Sequence, residues 1–328
     1  MSRSIPVILL FLLFSLVFPT AHGALPPSDR DVFVCITGQL SRLELRNKIE
    51  KLFLPLHNMG YKVRVGLALS TDNTTRFTNH DNGDMMQLYT SIPQVREALK
   101  SKVTGIKHFD KVNQMKTPEI NNIYLLSLTI KPGVNNTERA INHAKQYKTL
   151  QYCNHWPKMS ENALFFIRIR EDTLIDHIDL KSIIKLARGG AVVTTACDSW
   201  RGINDKMAFG PSSRSTDFFR LPFLQYTSMT CLIPGLTNTL SSEPFYKQVY
   251  GENGFNLVAS NDFVVTKAIA VAAKQSKIGD SDKRYCSITG NPFQAYSKQC
   301  PPNGVSSDIA YEQECWDMSA AKAMHVLE

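Results

Sequence analysis

Residues 163–175 read Ala-Leu-Phe-Phe-Ile-Arg-Ile-Arg-Glu-Asp-Thr-Leu-Ile. A short apolar run that is rich in β-favouring residues and ends in charge is typical of a buried strand. This strand would deliver Arg170, Glu171 and Asp172 at its carboxyl end, where open α/β sheets bind their ligands. If strand geometry continues to the end of the run, Arg168, Arg170 and Asp172 lie on one face. Glu171 then points to the other face.

The charged end of this strand combines cations with carboxylates. A guanidinium fork suits a phosphate group, and a carboxylate suits a divalent ion or a sugar hydroxyl. The same residue types also form structural ion pairs, and this alternative stays open for the segment taken alone.

Strand-like and helix-like segments alternate along the rest of the chain, which has 328 residues, 43% of them hydrophobic. This length and composition are enough for a substantial core. The alternation predicts an α/β fold with a mostly parallel sheet, rather than a sandwich of sheets or a helical bundle. Strands are predicted at 32–36, 62–69, 105–109, 124–130 and 191–196. Helices are predicted to begin near 45 and to cover 92–101, 137–150, 180–187, 215–224 and 261–274.

The first predicted helix carries two local signals. Ser41 and Glu44 have the spacing of a capping box. Pro55 is expected to kink or end the helix, because proline lacks the N–H that a helix interior requires.

Residues 1–23 have the pattern of a targeting segment. Arg3 precedes an apolar run at 5–18, and Ala21-His22-Gly23 offers small residues for a cleavage site. The run is shorter than the roughly 20 residues of an ordinary membrane span. We therefore expect a signal peptide, with an uncleaved signal anchor, and hence membrane attachment, as the alternative. Both place the chain in the secretory pathway, in the Golgi or endoplasmic reticulum lumen, or outside the cell.

Secretion permits disulfides, and the chain has seven cysteines. An odd number leaves at least one thiol unpaired. Cys35 and Cys197 lie in or beside predicted buried strands and are expected to be core thiols. Cys286, Cys300 and Cys315 lie in a tail rich in Pro, Gly and Ser, and one bridge is expected among them.

Composition and missing motifs argue against several classes of protein. The formal net charge is +8, but the basic residues are dispersed, so nucleic acid is not an expected partner. The chain lacks a Gly-x-Ser-x-Gly elbow, His-Glu-x-x-His, a P-loop and Gly-x-Gly-x-x-Gly. A serine hydrolase, a zinc protease and a nucleotide-dependent kinase are therefore not expected. Asn73 and Asn135 lie in glycosylation sequons in polar, loop-like stretches.

Three polar clusters follow predicted strands. The first is Gly38-Gln39 with Arg42, where glycine lets a ligand approach the backbone and helix amides suit a phosphate. A tight turn is an equally simple reason for that glycine. The second cluster is the charged end of the central strand described above. The third cluster contains Asp198, Trp200, Asn204, Asp205 and Lys206.

The third cluster offers groups that suit a sugar. Asp198 and Asp205 would act as a general base or bind hydroxyl groups, and Trp200 would stack on a pyranose ring. The alternative is that Trp200 anchors the core and that Asn204-Asp205 forms a turn.

These clusters resemble motifs of GT-A-like glycosyltransferases. Gly38-Gln39-Leu40-Ser41-Arg42 looks like the Gly-Gln-x-x-Arg segment at the start of some of these families. Ile169-Arg170-Glu171-Asp172 resembles their strand ending in Arg-x-Asp, in the place of the Asp-x-Asp metal motif. Residues 204–210, Asn-Asp-Lys-Met-Ala-Phe-Gly, are similar to their Asn-Asp-Lys segment ending in Gly, and Ser242-Glu243-Pro244 resembles a Pro-Glu element.

The resemblance implies a mostly parallel sheet sandwiched between helices over residues 24–280, followed by a Cys-containing C-terminal extension at 281–328. It implies a hexosyltransferase-like enzyme that moves a sugar from a nucleotide-sugar donor to a glycan or glycoprotein acceptor. The central strand lacks a full Asp-x-Asp, so the chain is expected to be a diverged relative. Asp280-Ser281-Asp282 spells that motif, but it follows a predicted helix and is expected to be a surface turn.

The resemblance also assigns roles to individual residues. Gly38, Gln39 and Arg42 would contact the nucleotide, and Arg170 the diphosphate. Asp172 would hold a metal ion or the donor sugar, with Glu171 as a second ligand for Mn²⁺ or Mg²⁺. Asp205 would take the acceptor proton or bind an acceptor hydroxyl. The remaining predicted substrate contacts are Asp198, Trp200, Asn204, Lys206 and Glu243.

Two other functions remain open for the same residues. A secreted or lumenal carbohydrate-binding protein without turnover would use the same polar groups. A glycosidase would use two carboxylates, for example Asp172 and Asp205, roughly 5 to 9.5 Å apart.

Overall fold

A computed structural model describes residues 30–70, 86–87, 91–102, 136–156, 160–196, 203–228, 242–278, 281–290 and 311–317. Its strands, in chain order, are β1 (Asp31–Gln39), β2 (Lys62–Ser70), β3 (Met86–Gln87), β4 (Phe165–Arg170), β5 (Thr173–Ile178), β6 (Ala191–Thr195), β7 (Met207–Pro211), β8 (Asn256–Ser260), β9 (Phe263–Ile278), β10 (Ser281–Gly290) and β11 (Tyr311–Asp317). Helix α1 consists of Arg46–Lys48, the π-helical turn Ile49–Phe53, and Leu54–Asn58. The other helices are α2 (Ile92–Lys102), α3 (Asn136–Tyr152), α4 (Leu180–Arg188), α5 (Ser215–Ser228) and α6 (Ser242–Glu252).

The central sheet has six strands in the order β2-β1-β4-β7-β6-β8. Strand β7 runs antiparallel to both of its neighbours, and every other pair in this sheet is parallel. The expected α/β fold with a mostly parallel sheet is therefore confirmed.

Helices cover both faces of the central sheet because apolar side chains alternate along its inner strands. On β1, Val32, Val34 and Ile36 pack into a core with α1, α2 and α4. Phe33 and Cys35 face the opposite core, which contains α3, α5 and α6. Full burial of a Val, Ile or Phe side chain contributes about 1.5 to 3 kcal/mol to the free energy of folding. Among the described residues, no helix is long and apolar enough to span a membrane.

A second, antiparallel sheet has the order β3-β11-β10-β9-β5. Strand β5 begins directly after the two-residue turn that ends β4. The chain thus crosses from the first sheet to the second at Glu171 and Asp172. The predicted domain boundary at 280 falls between β9 and β10, which pair with each other. The division into domain and extension stays a prediction.

Most of the predicted elements that fall within the described residues are confirmed, with one clear error. The helix expected at 261–274 is wrong, because these residues lie in strand β9, which pairs with β5 and β10. Helix α6 and strands β3, β5, β7, β8, β10 and β11 were not predicted. Ser281 and Asp282, which were expected in a surface turn, begin strand β10. The strands expected at 105–109 and 124–130 lie outside the described residues.

The start of α1 also differs from the prediction. Ser41 lies in a 3-10 turn, and the helix begins only at Arg46. Its first turn is capped by Glu44, whose Oε1 accepts a hydrogen bond from the Asn47 N–H at 2.7 Å. The helix continues through Pro55 to Asn58, after the π-helical turn.

The sequence analysis predicted that Cys35 is a free core thiol. This prediction is wrong, because Cys35 forms a disulfide with Cys153. The bridge joins β1 to the 3-10 turn that follows α3, across 118 residues of sequence. Both cysteines are fully buried. Cys286 and Cys315 lie on the neighbouring strands β10 and β11. The bridge expected within the C-terminal trio stays a prediction. Cys197 and Cys300 lie outside the described residues.

Candidate functional site

The charged residues at the end of β4 lie where three strands meet. Strand β4 ends at Arg170, whose N–H donates to the Lys206 carbonyl beside β7 at 2.8 Å. Glu171 then turns away, and its N–H donates to the Thr37 carbonyl of β1 at 2.9 Å. The prediction that these residues lie together at the carboxyl end of a central strand is confirmed.

Arg170 binds two carboxylates from different parts of the chain. Its Nε and Nη2 donate to Asp172 Oδ1 and Oδ2 at 3.1 and 2.9 Å, which is a bidentate pair. Its Nη1 donates to Asp205 Oδ2 at 2.8 Å. Burial by itself would lower the pKa of Arg170, but the charges of Asp172 and Asp205 outweigh it and raise that pKa well above its ordinary value.

Arg42 joins the first predicted cluster to the second. Its Nε donates to Glu171 Oε1 at 3.0 Å, and its Nη2 donates to the same oxygen. The same Nη2 donates to Asp172 Oδ2 at 3.1 Å. Burial would lower the pKa of Arg42, but Glu171 and Asp172 outweigh it and raise that pKa. The two clusters therefore form one charged network.

Gly38 leaves space for the side chain of Glu171. Its φ of +133° is a conformation that side chains rarely adopt. A Cβ atom at this position would lie 1.7 Å from Glu171 Oε2. The carboxylate of the network occupies the space that glycine leaves open, which is a structural reason for this residue.

Lys48 holds the turn between the two sheets and was not identified from the sequence. Its side chain is fully buried, and its Nζ donates to the carbonyls of Glu171 and Thr173, both at 2.8 Å, and of Glu44 at 2.5 Å. Burial lowers its pKa. The signal for this role was available, because Lys48 interrupts the apolar face of α1 between Leu45 and Leu52.

Asp205 is a buried carboxylate held by several donors. Its Oδ2 accepts hydrogen bonds from Arg170 Nη1 and Gln146 Nε2, both at 2.8 Å, and from Ser242 Oγ at 3.2 Å. Burial alone would raise its pKa, but the charges of Arg170, Lys206 and Arg168, with the Gln146 hydrogen bond, together outweigh burial and hold the pKa of Asp205 well below its ordinary value. A carboxyl group with so low a pKa stays ionised at neutral pH and is a weak proton acceptor. Its predicted role as general base stays a prediction that these contacts disfavour.

Glu243 lies next to Asp205 and has the opposite tendency. Ser242 Oγ lies 3.2 Å from Glu243 Oε2, so this single hydroxyl faces both carboxyl groups. Burial, together with the nearby Asp205 charge, raises the pKa of Glu243 to about 7. The two carboxyl groups therefore favour different protonation states at neutral pH.

Asn204 and Lys206 help to build the turn before β7. Asn204 Oδ1 accepts a hydrogen bond from the Lys206 N–H at 2.8 Å, which is the turn geometry considered as the alternative. Asp198 and Trp200 lie outside the described residues, so their predicted sugar contacts stay predictions.

Several buried polar atoms near the network have no hydrogen-bond partner in the part of the chain that the structure describes. They include Gln39 Oε1 and Thr37 Oγ1 on β1, and Arg168 Nε on the adjacent strand β4. Register and strand alternation place these three residues on the same face of the sheet. Unpaired buried polar atoms are rare and point to a bound water or ligand. A cavity of about 10 Å³ next to Arg168, Asp205 and Tyr246 has room for one water molecule.

The arginines of this network are partly open, whereas its carboxylates are not. The side chains of Arg42 and Arg170 are 18% and 19% exposed, and those of Glu171 and Asp172 are 2% and 1% exposed. A guanidinium carries five N–H donors. The described contacts use three of them in each arginine, which leaves two in each for an external anion.

The predicted metal ligands Asp172 and Glu171 are paired with arginines in this arrangement, and their binding of a divalent ion stays a prediction. Both oxygens of Asp172 accept hydrogen bonds from Arg170, and Glu171 Oε1 accepts them from Arg42. Within the described ranges, no group of three or more His, Cys, Asp or Glu side chains is placed to hold a metal. A cation would have to displace the guanidinium groups from their carboxylates.

No protein-family model matches this chain, and comparison with curated proteins finds no significant match. The site itself is what indicates a chemical class. It combines partly exposed guanidinium donors and buried carboxylates at the carboxyl ends of parallel strands with a neighbouring pair of carboxyl groups whose pKa values are shifted in opposite directions.

Proposed function

We propose that this protein is a diverged GT-A-like glycosyltransferase of the secretory pathway, which transfers a sugar from a nucleotide-sugar donor to a glycan or glycoprotein acceptor. The observation that carries the proposal is the pair of guanidinium groups of Arg42 and Arg170. Both lie at the carboxyl ends of central strands, and both keep N–H donors that the described contacts do not use.

These two arginines suit a nucleoside diphosphate leaving group. Negative charge grows on the diphosphate as its bond to the sugar breaks, and fixed cations stabilise that charge without reorganising. Asp172 bridges Arg42 and Arg170, so both guanidinium groups are already oriented. Preorganisation of this kind lowers the barrier to transfer.

The open polar atoms of β1 support a nucleotide site next to these arginines. Gln39 Oε1 is a buried acceptor with no hydrogen-bond partner among the described residues, which suits an N–H group of a nucleobase. Gly38 contributes indirectly, since it makes room for the carboxylate that orients Arg42.

The proposed acceptor side lies around Asp205, beyond Arg170. Asn204 and Lys206 shape this region through their turn, and Glu243 adds a second carboxyl group. Asp198 and Trp200 remain proposed sugar contacts. The Cys35–Cys153 bridge supports a lumenal or secreted location, because disulfides form and persist in oxidising compartments.

One alternative is favoured by a specific observation. The carboxyl pair of Asp205 and Glu243, one held as the anion and one titrating near neutrality, is also what a glycosidase requires of its two carboxyl groups. The pairing of Asp172 with Asp205 is less suitable, because Arg170 donates hydrogen bonds to both carboxyl groups.

The test is a panel of donors offered to the purified full chain. UDP-glucose, UDP-galactose, UDP-N-acetylglucosamine and GDP-mannose are incubated with and without Mn²⁺ or Mg²⁺, and release of the nucleoside diphosphate is measured. The proposal expects release from at least one donor, and the metal comparison tests the predicted cofactor. Hydrolysis of aryl glycosides without cleavage of any nucleotide sugar would indicate the glycosidase, and sugar binding without any turnover would indicate a carbohydrate-binding protein.

A variant then tests the arginine directly. Arg170→Lys keeps a cation beside Asp172 and Asp205 but removes the planar fork. We expect calorimetry to show a loss of about 1.5 to 3 kcal/mol in binding of UDP or GDP, the usual worth of a charge-assisted contact. Arg46→Lys is the control, because Arg46 is exposed and its ion pair with Glu50 lies on the surface. Unchanged affinity in a folded Arg170→Lys protein would contradict the diphosphate assignment.

A further inference from the structure

We infer that Glu243, rather than Asp205, accepts the proton of the attacking hydroxyl, and that Ser242 links the two carboxyl groups into one proton-holding unit. This inference rests on the proposed function and assigns its general base. Glu243 had been predicted only as a substrate contact.

Asp205 is poorly placed to take a proton because its contacts are those of a permanent anion. Three donors converge on Oδ2, and one of them is the guanidinium of Arg170. Protonation of this carboxyl would leave the largely buried guanidinium partly unpaired, which is costly inside a protein. Asp205 therefore acts as a positioning residue for Arg170 and for the Ser242 hydroxyl.

Glu243 is less tightly held by hydrogen-bond donors than Asp205 and is therefore freer to gain and lose a proton. Its carboxyl group accepts hydrogen bonds from its own backbone N–H and, at 3.2 Å, from Ser242 Oγ, no arginine donates to it in the described contacts, and the residue is only half-buried. Ser242 carries one hydroxyl proton and faces two carboxyl groups, so both cannot accept it at once. When Glu243 is protonated it donates to Ser242 Oγ, which then donates to Asp205 Oδ2.

The surroundings of Glu243 keep both of its protonation states within reach near neutrality. Burial and the Asp205 charge raise its pKa, whereas the charge of Lys206 and the position of Glu243 in the first turn of α6 favour the anion. From α3, the Tyr147 hydroxyl also faces this group, and its own pKa is raised well above its ordinary value, chiefly by burial. A base whose pKa lies close to the working pH is the most effective proton acceptor.

The reaction step balances without any further reactant. The acceptor oxygen forms a bond to the anomeric carbon of the donor sugar as its O–H proton passes to a Glu243 carboxylate oxygen. The bond from that carbon to the diphosphate oxygen breaks, and its electron pair leaves on the nucleoside diphosphate beside Arg170. Glu243 then returns the proton to solvent.

The experiment compares wild type with Glu243→Gln, which is nearly isosteric but cannot take a proton. The readout is hydrolysis of whichever nucleotide sugar of the donor panel wild type cleaves fastest, with water as the acceptor. We expect turnover to fall by about 10² to 10⁴, while calorimetric affinity for UDP or GDP stays unchanged. The acidic limb of the wild-type pH profile, near pH 7, should disappear in the variant. Glu252→Gln, at the exposed far end of α6, should behave like wild type.

A second measurement follows the proton without relying on catalysis. In protein labelled with ¹³C at the glutamate carboxyl groups, the resonance that is missing from Glu243→Gln identifies Glu243. That resonance should titrate near pH 7 in wild type. The inference is overturned if it titrates near the ordinary glutamate value, or if Glu243→Gln cleaves the donor as fast as wild type, and either result leaves the transferase proposal standing. Failure of wild type to cleave any donor in the panel overturns both.

Discussion

At the scale of single residues, Arg170 is the point where the charges of the site converge. One guanidinium binds Asp172 from its own turn and Asp205 from the segment before β7. The same contacts that orient Arg170 depress the pKa of Asp205. A single side chain thus joins two carboxylates and also contributes to the low pKa of one of them.

Glu243 should leave a mark on the pH dependence of stability. Its ordinary pKa of 4.5 applies to the unfolded chain, and its pKa in the folded protein is about 7. Between these values only the folded state holds the proton, so the free energy of unfolding falls as pH rises, by at most about 1.4 kcal/mol per pH unit. Below pH 4.5 and above about pH 7 this contribution is constant.

The measurement is urea unfolding of wild type and Glu243→Gln across this pH range. The variant cannot ionise here, so the difference in unfolding free energy between the two proteins isolates this group. We expect wild type to lose stability relative to the variant between about pH 4.5 and 7 and to change no further above that. A constant difference across the range would show that the pKa of Glu243 is not raised by folding.

Gly38 should not tolerate alanine. The positive φ costs a side chain about 1 to 3 kcal/mol, and the new Cβ would push Glu171 away from Arg42. Gly38→Ala should therefore lower the unfolding midpoint and weaken nucleotide binding together. Gly251→Ala is the control, because its Cβ meets nothing within 4 Å, and alanine in a helix should be neutral or slightly stabilising. Equal midpoints for the two variants would contradict this account of Gly38.

At the scale of elements, the turn between β4 and β5 depends on α1. Lys48 donates to carbonyls on both sides of this turn and to the carbonyl of Glu44. Asn47, one residue earlier, bonds the backbone of Ile175 through both its amide nitrogen and its amide oxygen, at 3.0 and 2.7 Å. Helix α1 therefore fixes the position of the carboxylates that orient the arginines.

Lys48→Met should show how much this support contributes. Methionine keeps the apolar stem but leaves buried carbonyls and the Glu44 carboxylate without their cation. We expect a loss of about 3 kcal/mol or more in unfolding free energy. Lys51→Met lies on the exposed side of the same helix and should change stability by less than about 0.5 kcal/mol. A small loss for Lys48→Met would mean that the turn holds its shape without the ammonium group.

The elements that the sequence predicted correctly are those whose pattern is local. Strand β4, for example, has a continuous apolar run, and α4 has a clear amphipathic period. Residues 261–274 misled because an alanine-rich run has high helix propensity. Their strand conformation comes from pairing with β5 and β10, and the β5 partner lies about 90 residues away in sequence.

The same distinction applies to the site. Arg170 and Asp172 could be paired from the sequence because they are two residues apart. Arg42 and Asp205 join them across 130 and 35 residues, and no local pattern predicts such contacts. The proton affinity of Glu243 depends on burial beside Asp205, which only the packed fold provides.

At the scale of the whole molecule, a disulfide connects the central sheet to the helices that pack on one of its faces. The Cys35–Cys153 bridge joins β1, which contains Gly38, to the 3-10 turn that follows α3, the helix that carries Gln146. Both sulfur-bearing residues are fully buried within the core that α3, α5 and α6 form against the sheet. The bridge therefore restrains the unfolded chain and holds together two elements that contact opposite sides of the charged network.

Loss of this bridge should destabilise the entire fold. A closed loop of this length, 118 residues, constrains the unfolded chain strongly, and measured losses for native disulfides are about 2 to 5 kcal/mol. We expect Cys35→Ala/Cys153→Ala to unfold at a lower urea concentration than oxidised wild type, with a similar dependence on urea. Because the bridge is buried, dithiothreitol should reduce it only as the protein unfolds, and wild type unfolded under reductant should approach the midpoint of the variant. Any remaining effect of reductant on the variant would report a second disulfide, such as the predicted bridge among Cys286, Cys300 and Cys315. Equal midpoints for oxidised wild type and the variant would show that Cys35 and Cys153 do not stabilise the fold as a disulfide.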